Sequence, residues 1–217
     1  MKLAGKRICF LGDSITQGVG ASSVETCYVS LFATKNPEAV VYNHGISGTR
    51  IAPQHLPSAH DLITGDFCAR LEETASHADI ICVFGGTNDH GHGNAPMGKL
   101  GDTTPETFYG ALYTLTAGLI EKAPTARIVF FTPLHKEDEH RAAVRSDGAW
   151  KLCDYAKAIR ENAEFFSCPV LDLWKVSGIQ PRLPVSRAQF MPDGLHPNDA
   201  GHERLCKIIN AFLTNLG

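Results

Sequence analysis

Five short apolar runs, separated by longer segments with helical periodicity, constrain this chain more than any of its other features. The runs are Arg7–Leu11, Ala39–Tyr42, Asp79–Phe84, Arg127–Thr132 and Pro169–Leu173. They are mostly continuous in apolar character, the pattern of parallel strands covered on both faces. Between them lie candidate helices Cys27–Lys35, Asp66–Ser76, Pro105–Lys122, Ala149–Phe165 and Asn198–Leu216. In the third, Thr104 is placed to cap, Pro105 suits the first turn, and Phe108, Leu112, Leu115 and Leu119 share one face. Leu205, Ile208, Ile209, Phe212 and Leu216 make a similar stripe in the last. Both stripes read as core, not as binding grooves. Strands alternating with helices predict the α/β class. The expected architecture is a three-layer α/β/α domain with a flavodoxin-like, parallel, five-stranded sheet in the order 2-1-3-4-5. No repeat or linker divides the sequence, so residues 1–217 are expected to form one domain.

Composition narrows the function classes. A net charge of -3 leaves no electrostatic footprint for nucleic acid, and no basic cluster suggests a membrane surface. Met1–Lys6 is too short and polar for a signal peptide, which argues for the cytoplasm. The seven cysteines include no C-x-x-C pair, and several sit in apolar runs. That usage fits a reduced compartment, with neither a disulfide framework nor a thiolate metal site.

The first run stops at Gly12, and Phe10-Leu11-Gly12-Asp13-Ser14-Ile15-Thr16-Gln17-Gly18 reads as a strand ending in a tight turn. Ser14 there is either a turn or N-cap residue or, if a base reaches it, a nucleophile at the ligand-binding edge of the sheet. Near the other end stands Met191-Pro192-Asp193-Gly194-Leu195-His196-Pro197-Asn198. Its spacing lets the Asp193 carboxylate accept the Nδ1 proton of His196, leaving Nε2 as a base; a plain helix-entry turn is the alternative. Asn43-His44-Gly45-Ile46-Ser47-Gly48 and Phe84-Gly85-Gly86-Thr87-Asn88-Asp89 follow the second and third runs. Taken singly these are ordinary Gly/Asn turns. Taken together, the groups suit acyl transfer: Ser14 attacks, His196 takes its proton, and Asp193 orients the imidazole. The N–H groups of Ser14 and Gly48 and the amide of Asn88 then hold the oxyanion.

On these residues the sequence resembles the SGNH hydrolases, also called GDSL-like lipases or esterases. Gly12-Asp13-Ser14 matches the family's first block, Gly48 the second, Asn88 the third, and Asp193 with His196 the fifth. The blocks occur in family order across nearly the whole chain. Ile15 stands where the family's longer name motif has leucine, a similar apolar filler. The resemblance implies ester hydrolysis through Ser14, Asp193 and His196, with an oxyanion hole from Ser14, Gly48 and Asn88. It implies no cofactor and no metal. The substrate is expected to be a small-molecule ester, with no nucleic-acid or membrane partner.

Other residues receive provisional readings. Asp89-His90-Gly91-His92 looks like a chelating cluster, but its histidines are expected to line the rim or be solvated. His44 is a candidate substrate contact. Asp13 is assigned to turn hydrogen bonding. Arg50 is read as solvated, with contact to a polar substrate group as the alternative. Lys136-Glu137-Asp138-Glu139 is read as a solvated loop face, and Trp150 and Trp174 as core or rim. Four long loops, 47–65, 89–103, 133–148 and 175–193, follow strands and should crowd the edge that carries Ser14. They are mostly polar, so the expected substrate is a short-chain, most plausibly acetyl, ester of a sugar or similar polyol. The alternatives are an acyl-thioesterase or lysophospholipase with the same triad, and an inactive carbohydrate- or acyl-binding module.

Overall fold

The computed structural model describes residues 2–54, 65–75 and 77–216. Its strands are β1 (Arg7–Gly12), β2 (Val40–Gly45), β3 (Ile80–Phe84), β4 (Arg127–Phe131), β5 (Ala143–Arg145), β6 (Gly148–Trp150) and β7 (Val170–Leu171). Its helices begin with α1 (Ser14–Gln17), α2 (Tyr28–Lys35), α3 (Leu71–Ala75), α4 (Thr87–Gly91) and α5 (Phe108–Lys122). They continue with α6 (Leu152–Phe165), α7 (Leu173–Val176), α8 (Pro184–Phe190) and α9 (Asp199–Asn215). Five strands pair in parallel in the order β2-β1-β3-β4-β7. This is the expected 2-1-3-4-5 order; the last sheet strand is β7 because the hairpin β5–β6 precedes it.

Side chains alternate across each strand, and this divides the core in two. Ile8, Phe10, Cys82, Phe84, Val129 and Phe131 pack on one face with Tyr28 and Phe32 of α2 and Leu205 and Ile209 of α9. Cys9, Leu11, Ile81, Val83, Ile128 and Phe130 pack on the other with Leu112 and Leu115 of α5 and Tyr155 and Ile159 of α6. Full burial of such a side chain stabilises the fold by roughly 2 kcal/mol in transfer terms. The apolar runs of β1, β3 and β4 are continuous because both faces are covered, whereas the edge strand β2, expected to be covered likewise, leaves Val40 and Tyr42 exposed. No helix among the described residues is long and apolar enough to cross a membrane.

Several boundaries differ from the sequence reading, for local reasons. β2 runs on to Gly45, because its pairing with β1 continues as far as Gly12. The third helix starts at Phe108, capped by the Thr107 hydroxyl, which accepts from Gly110 N at 3.0 Å. A Cβ on Gly110 would lie 1.8 Å from Thr104 O, so residues 104–107 fold against the first turn and do not extend it. The fourth helix begins at Leu152, because Ala149 and Trp150 pair with Val144 and Ala143 in the hairpin. The last run shortens to Val170–Leu171, and Leu173 opens α7. Residues 66–76 carry a short 3-10 turn and α3, with Ser76 and most of the loop 47–65 outside the described residues.

Candidate active site

The site is built where β1 ends. A Cβ at Gly12 would sit 1.9 Å from Thr16 Oγ1, so only glycine allows the chain to turn so tightly there. Asp13 caps α1, its carboxylate accepting from Ile15 N at 3.0 Å. Burial pushes the Asp13 carboxyl up to about 7, against the opposing effect of the Ile15 N–H. Asp13 is therefore engaged within the turn, as expected. Ser14 follows as the first residue of α1 and is 7% exposed. Gly18, at φ 105°, ends the helix after a single turn.

The second half comes from the segment before α9. Asp193 Oδ1 accepts from Leu195 N at 2.8 Å and from His196 N at 2.7 Å. Its Oδ2 lies 2.7 Å from His196 Nδ1. Burial alone would raise the Asp193 carboxyl, but the two backbone N–H groups and the imidazole together hold it below the usual carboxylate range. With Nδ1 donating to the carboxylate, Nε2 is left as the acceptor. It stands 3.0 Å from Ser14 Oγ. Gly20 (φ 94°) makes the approach possible, since a Cβ there would lie 2.3 Å from Pro197 O and 3.0 Å from His196 Cβ. Gly194 turns the segment at φ 79°, and its carbonyl accepts from Glu137 N at 2.8 Å.

Gly48 and Asn88 meet at Thr49. Asn88 Nδ2 donates to Thr49 O at 2.9 Å, leaving its second amide hydrogen for another acceptor. The Thr49 hydroxyl donates to Ile46 O at 2.7 Å and approaches Gly12 O at 3.4 Å. Ile46 N donates to the same Gly12 carbonyl at 3.1 Å. Gly48 itself adopts φ 77°, the left-handed conformation that glycine tolerates. The structure thus joins Ser14, His196 and Asp193 in one hydrogen-bonded chain. It also ties the Gly48 turn and Asn88 to the strand end two residues before Ser14.

The most informative residue the sequence reading missed is Arg70. It is 7% exposed, and its guanidinium donates to His44 O at 2.7 Å, Gly12 O at 3.0 Å and Thr49 Oγ1 at 3.1 Å. One side chain therefore fixes the ends of β1 and β2 and the turn of Gly48. Gln17 adds a further tie, its Oε1 accepting from Ser47 N at 2.7 Å. An arginine in a short amphipathic segment gives no sequence signal of burial, and Arg70 was passed over for that reason.

Four of the provisional readings change. His44 pairs with Glu73 through Nδ1 at 2.7 Å, which directs it towards α3. His90 is buried, not at the rim or solvated, while His92 is half-buried, and Asp89 beside them is buried as well. Asp89 takes the N–H groups of Ile51 at 3.0 Å and Ala52 at 2.9 Å, and burial pushes its carboxyl up to about 6. His90 Nε2 donates to Arg141 O at 2.9 Å, and burial pushes its imidazole down to about 4. Lys136 and Glu139 are also buried, Lys136 against Asp138, whereas Glu137 and Asp138 stay exposed as expected of the run. Glu139 takes His135 Nδ1 at 2.6 Å, and the His135 ring rests on Trp174 at a centroid distance of 3.9 Å. Arg50, expected in solvent, is 6% exposed. Trp150 is half-buried and donates Nε1 to Asp147 at 3.0 Å.

A parallel sheet of this order, with a Gly-Asp-Ser strand end facing an Asp-x-x-His segment, defines the SGNH hydrolase class. The chain belongs to the GDSL-like lipase/acylhydrolase family, whose sequence model matches residues 10–204. One crystal structure is 36% identical over 100% of this chain and 99% of its own, with a TM-score of 0.86. A protein from Lactobacillus plantarum is 31% identical, with 99% of both chains covered and a TM-score of 0.82. A two-domain esterase active on acetylated mannans shares the fold at 21% identity and TM-scores of 0.62 and 0.64, over 96% of this chain and 48–49% of the esterase. No curated protein matches significantly by sequence.

Proposed function

We propose that this chain is a serine esterase that removes short acyl groups, acetyl foremost, from a carbohydrate or similar polyol. One observation carries the reading: a serine hydroxyl 3.0 Å from an imidazole Nε2 whose Nδ1 lies 2.7 Å from a carboxylate. In the resting state Ser14 Oγ–H donates to Nε2. As Oγ attacks the ester carbonyl carbon, that proton passes to Nε2, and Asp193 stabilises the imidazolium. The carbonyl oxygen becomes an oxyanion, taken up by the N–H groups of Ser14 and Gly48 and the second amide hydrogen of Asn88. The tetrahedral adduct collapses, the C–O bond to the alcohol breaks, and His196 returns its proton to the leaving oxygen. Water then attacks the acyl-Ser14 ester with His196 again as base. The bond from the acyl carbon to Ser14 Oγ then breaks, His196 returns its proton to Oγ, and the acid leaves with Ser14 restored. A protein of the same fold that is active on acetylated mannans accords with this substrate class.

The polar loops favour a short acyl group. A second reading has its own observation: Val176, Leu183 and Val185, in the segment leading to Asp193, are 53%, 57% and 77% exposed. Such aliphatics suit a longer acyl chain, as in a thioesterase or lysophospholipase. A series of p-nitrophenyl esters from acetate to palmitate, with an acetylated sugar alongside, separates the two. A polar rim gives a maximum at the shortest chains. An apolar groove gives a kcat/KM that climbs with length, each buried CH₂ contributing about 0.8 kcal/mol.

A further inference from the structure

Arg50 carries an unusual environment for an arginine. It lies two residues beyond Gly48 and is more than nine-tenths buried. Its Nη1 donates to His92 Nδ1 at 3.1 Å, and its Nε has no hydrogen-bond partner among the described residues. The neighbouring Asp89 carboxylate accepts from the N–H groups of Ile51 and Ala52, and the Arg50 charge acts on it from nearby. A buried guanidinium fixed by a ring nitrogen, with an unpaired N–H, costs stability unless another acceptor completes it.

Its position relates it to the proposed oxyanion hole. His92 N donates to Asn88 O at 2.9 Å, so His92 closes α4 one turn beyond Asn88. The turn from Asn88 to His92 holds the Gly48 loop at two points, Asn88 on Thr49 O and His92 on Arg50. The guanidinium is a planar fork of donors with no acceptor, suited to neighbouring hydroxyl oxygens.

Resting on the esterase reading above, we infer that Arg50, held in place by His92, is a specificity residue that donates hydrogen bonds to hydroxyl oxygens of an acetylated sugar. The test compares two acetyl esters, a mono-O-acetylated hexose and p-nitrophenyl acetate, on wild-type protein and on Arg50→Gln, Arg50→Lys and His92→Gln. The quantity read is the ratio of the two kcat/KM values. The inference predicts that Arg50→Gln lowers this ratio by about 10- to 100-fold, mainly through KM for the sugar ester. Arg50→Lys, which keeps the charge and loses the fork, falls between. Equal losses on both esters overturn the inference, since they describe a structural arginine. If Arg50→Gln does not fold, His92→Gln decides, because it frees the guanidinium without removing it; an unchanged ratio there overturns the inference as well. Wild-type protein that cleaves p-nitrophenyl acetate but no acetylated sugar instead refutes the carbohydrate reading, and the role of Arg50 falls with it.

Discussion

His196 Nε2 and Ser14 Oγ lie 3.0 Å apart although 182 residues separate them in sequence. Two loops at the carboxyl edge of one parallel sheet make this contact. Gly20, the point where those loops touch, decides whether it forms.

Gly20→Ala is accordingly expected to impair both stability and turnover. The added methyl meets Pro197 O at 2.3 Å, at a φ of 94° that suits glycine alone. Such a position costs on the order of 1–3 kcal/mol when occupied by another residue. Thermal unfolding should shift down, and kcat should fall at least about tenfold as the base is displaced from the hydroxyl. Wild-type values for both would mean that the two loops adjust independently.

Asn88→Ala tests the proposed oxyanion hole without touching Ser14 or His196. A single donor to a developing oxyanion is typically worth about 10²–10³ in kcat. KM should change little, because the interaction strengthens only as charge develops. A raised KM with unchanged kcat would make Asn88 a substrate-binding residue.

His202 gives a pH signature that is separate from catalysis. It is fully buried beneath Tyr28, and burial pushes its imidazole down to about 4. The unfolded chain takes up this proton near the ordinary value of about 6.5, whereas the folded chain resists until about pH 4. Stability from the neutral ring is thus present above about pH 6.5 and is lost as pH falls towards about 4, by no more than about 3 kcal/mol. Asp13 and Asp89 slope the opposite way, since burial raises their carboxyls to about 7 and about 6. Comparing denaturant midpoints of wild type and His202→Gln across this range cancels their contribution. The difference should shrink on acidification; a constant difference would mean that His202 does not titrate with folding.

Much of this architecture is legible in the amino-acid sequence because buried parallel strands leave a strong mark. Ile8–Leu11 and Ile80–Phe84 are apolar at every position since helices cover both faces. The candidate site residues Gly12, Ser14, Gly48, Asn88, Asp193 and His196 stand in or beside turns at element ends and singly read as ordinary turn residues; only their order and resemblance to the family's blocks singles them out. The hairpin Ala143–Trp150 was not legible, because three-residue strands show no periodicity and Ser146-Asp147-Gly148 reads as loop. Helix α8 buries none of its side chains fully, so no apolar stripe announces it. Arg50 and Arg70 are held inside by partners distant in sequence, Lys136 and Glu139 by the nearby Asp138 and His135, and a charge looks the same in sequence whether solvated or paired.

The most direct measurement of the central claim is steady-state hydrolysis of p-nitrophenyl acetate by Ser14→Ala. The Ser14 side chain makes its described hydrogen bond to His196 alone, so the variant should fold with an unchanged unfolding transition. Its kcat should drop by at least about 10³–10⁴-fold, since no other group in the site can form the acyl-enzyme. A folded Ser14→Ala protein that kept about a tenth of the wild-type rate, far above the residual expected of a triad without its nucleophile, would contradict the account.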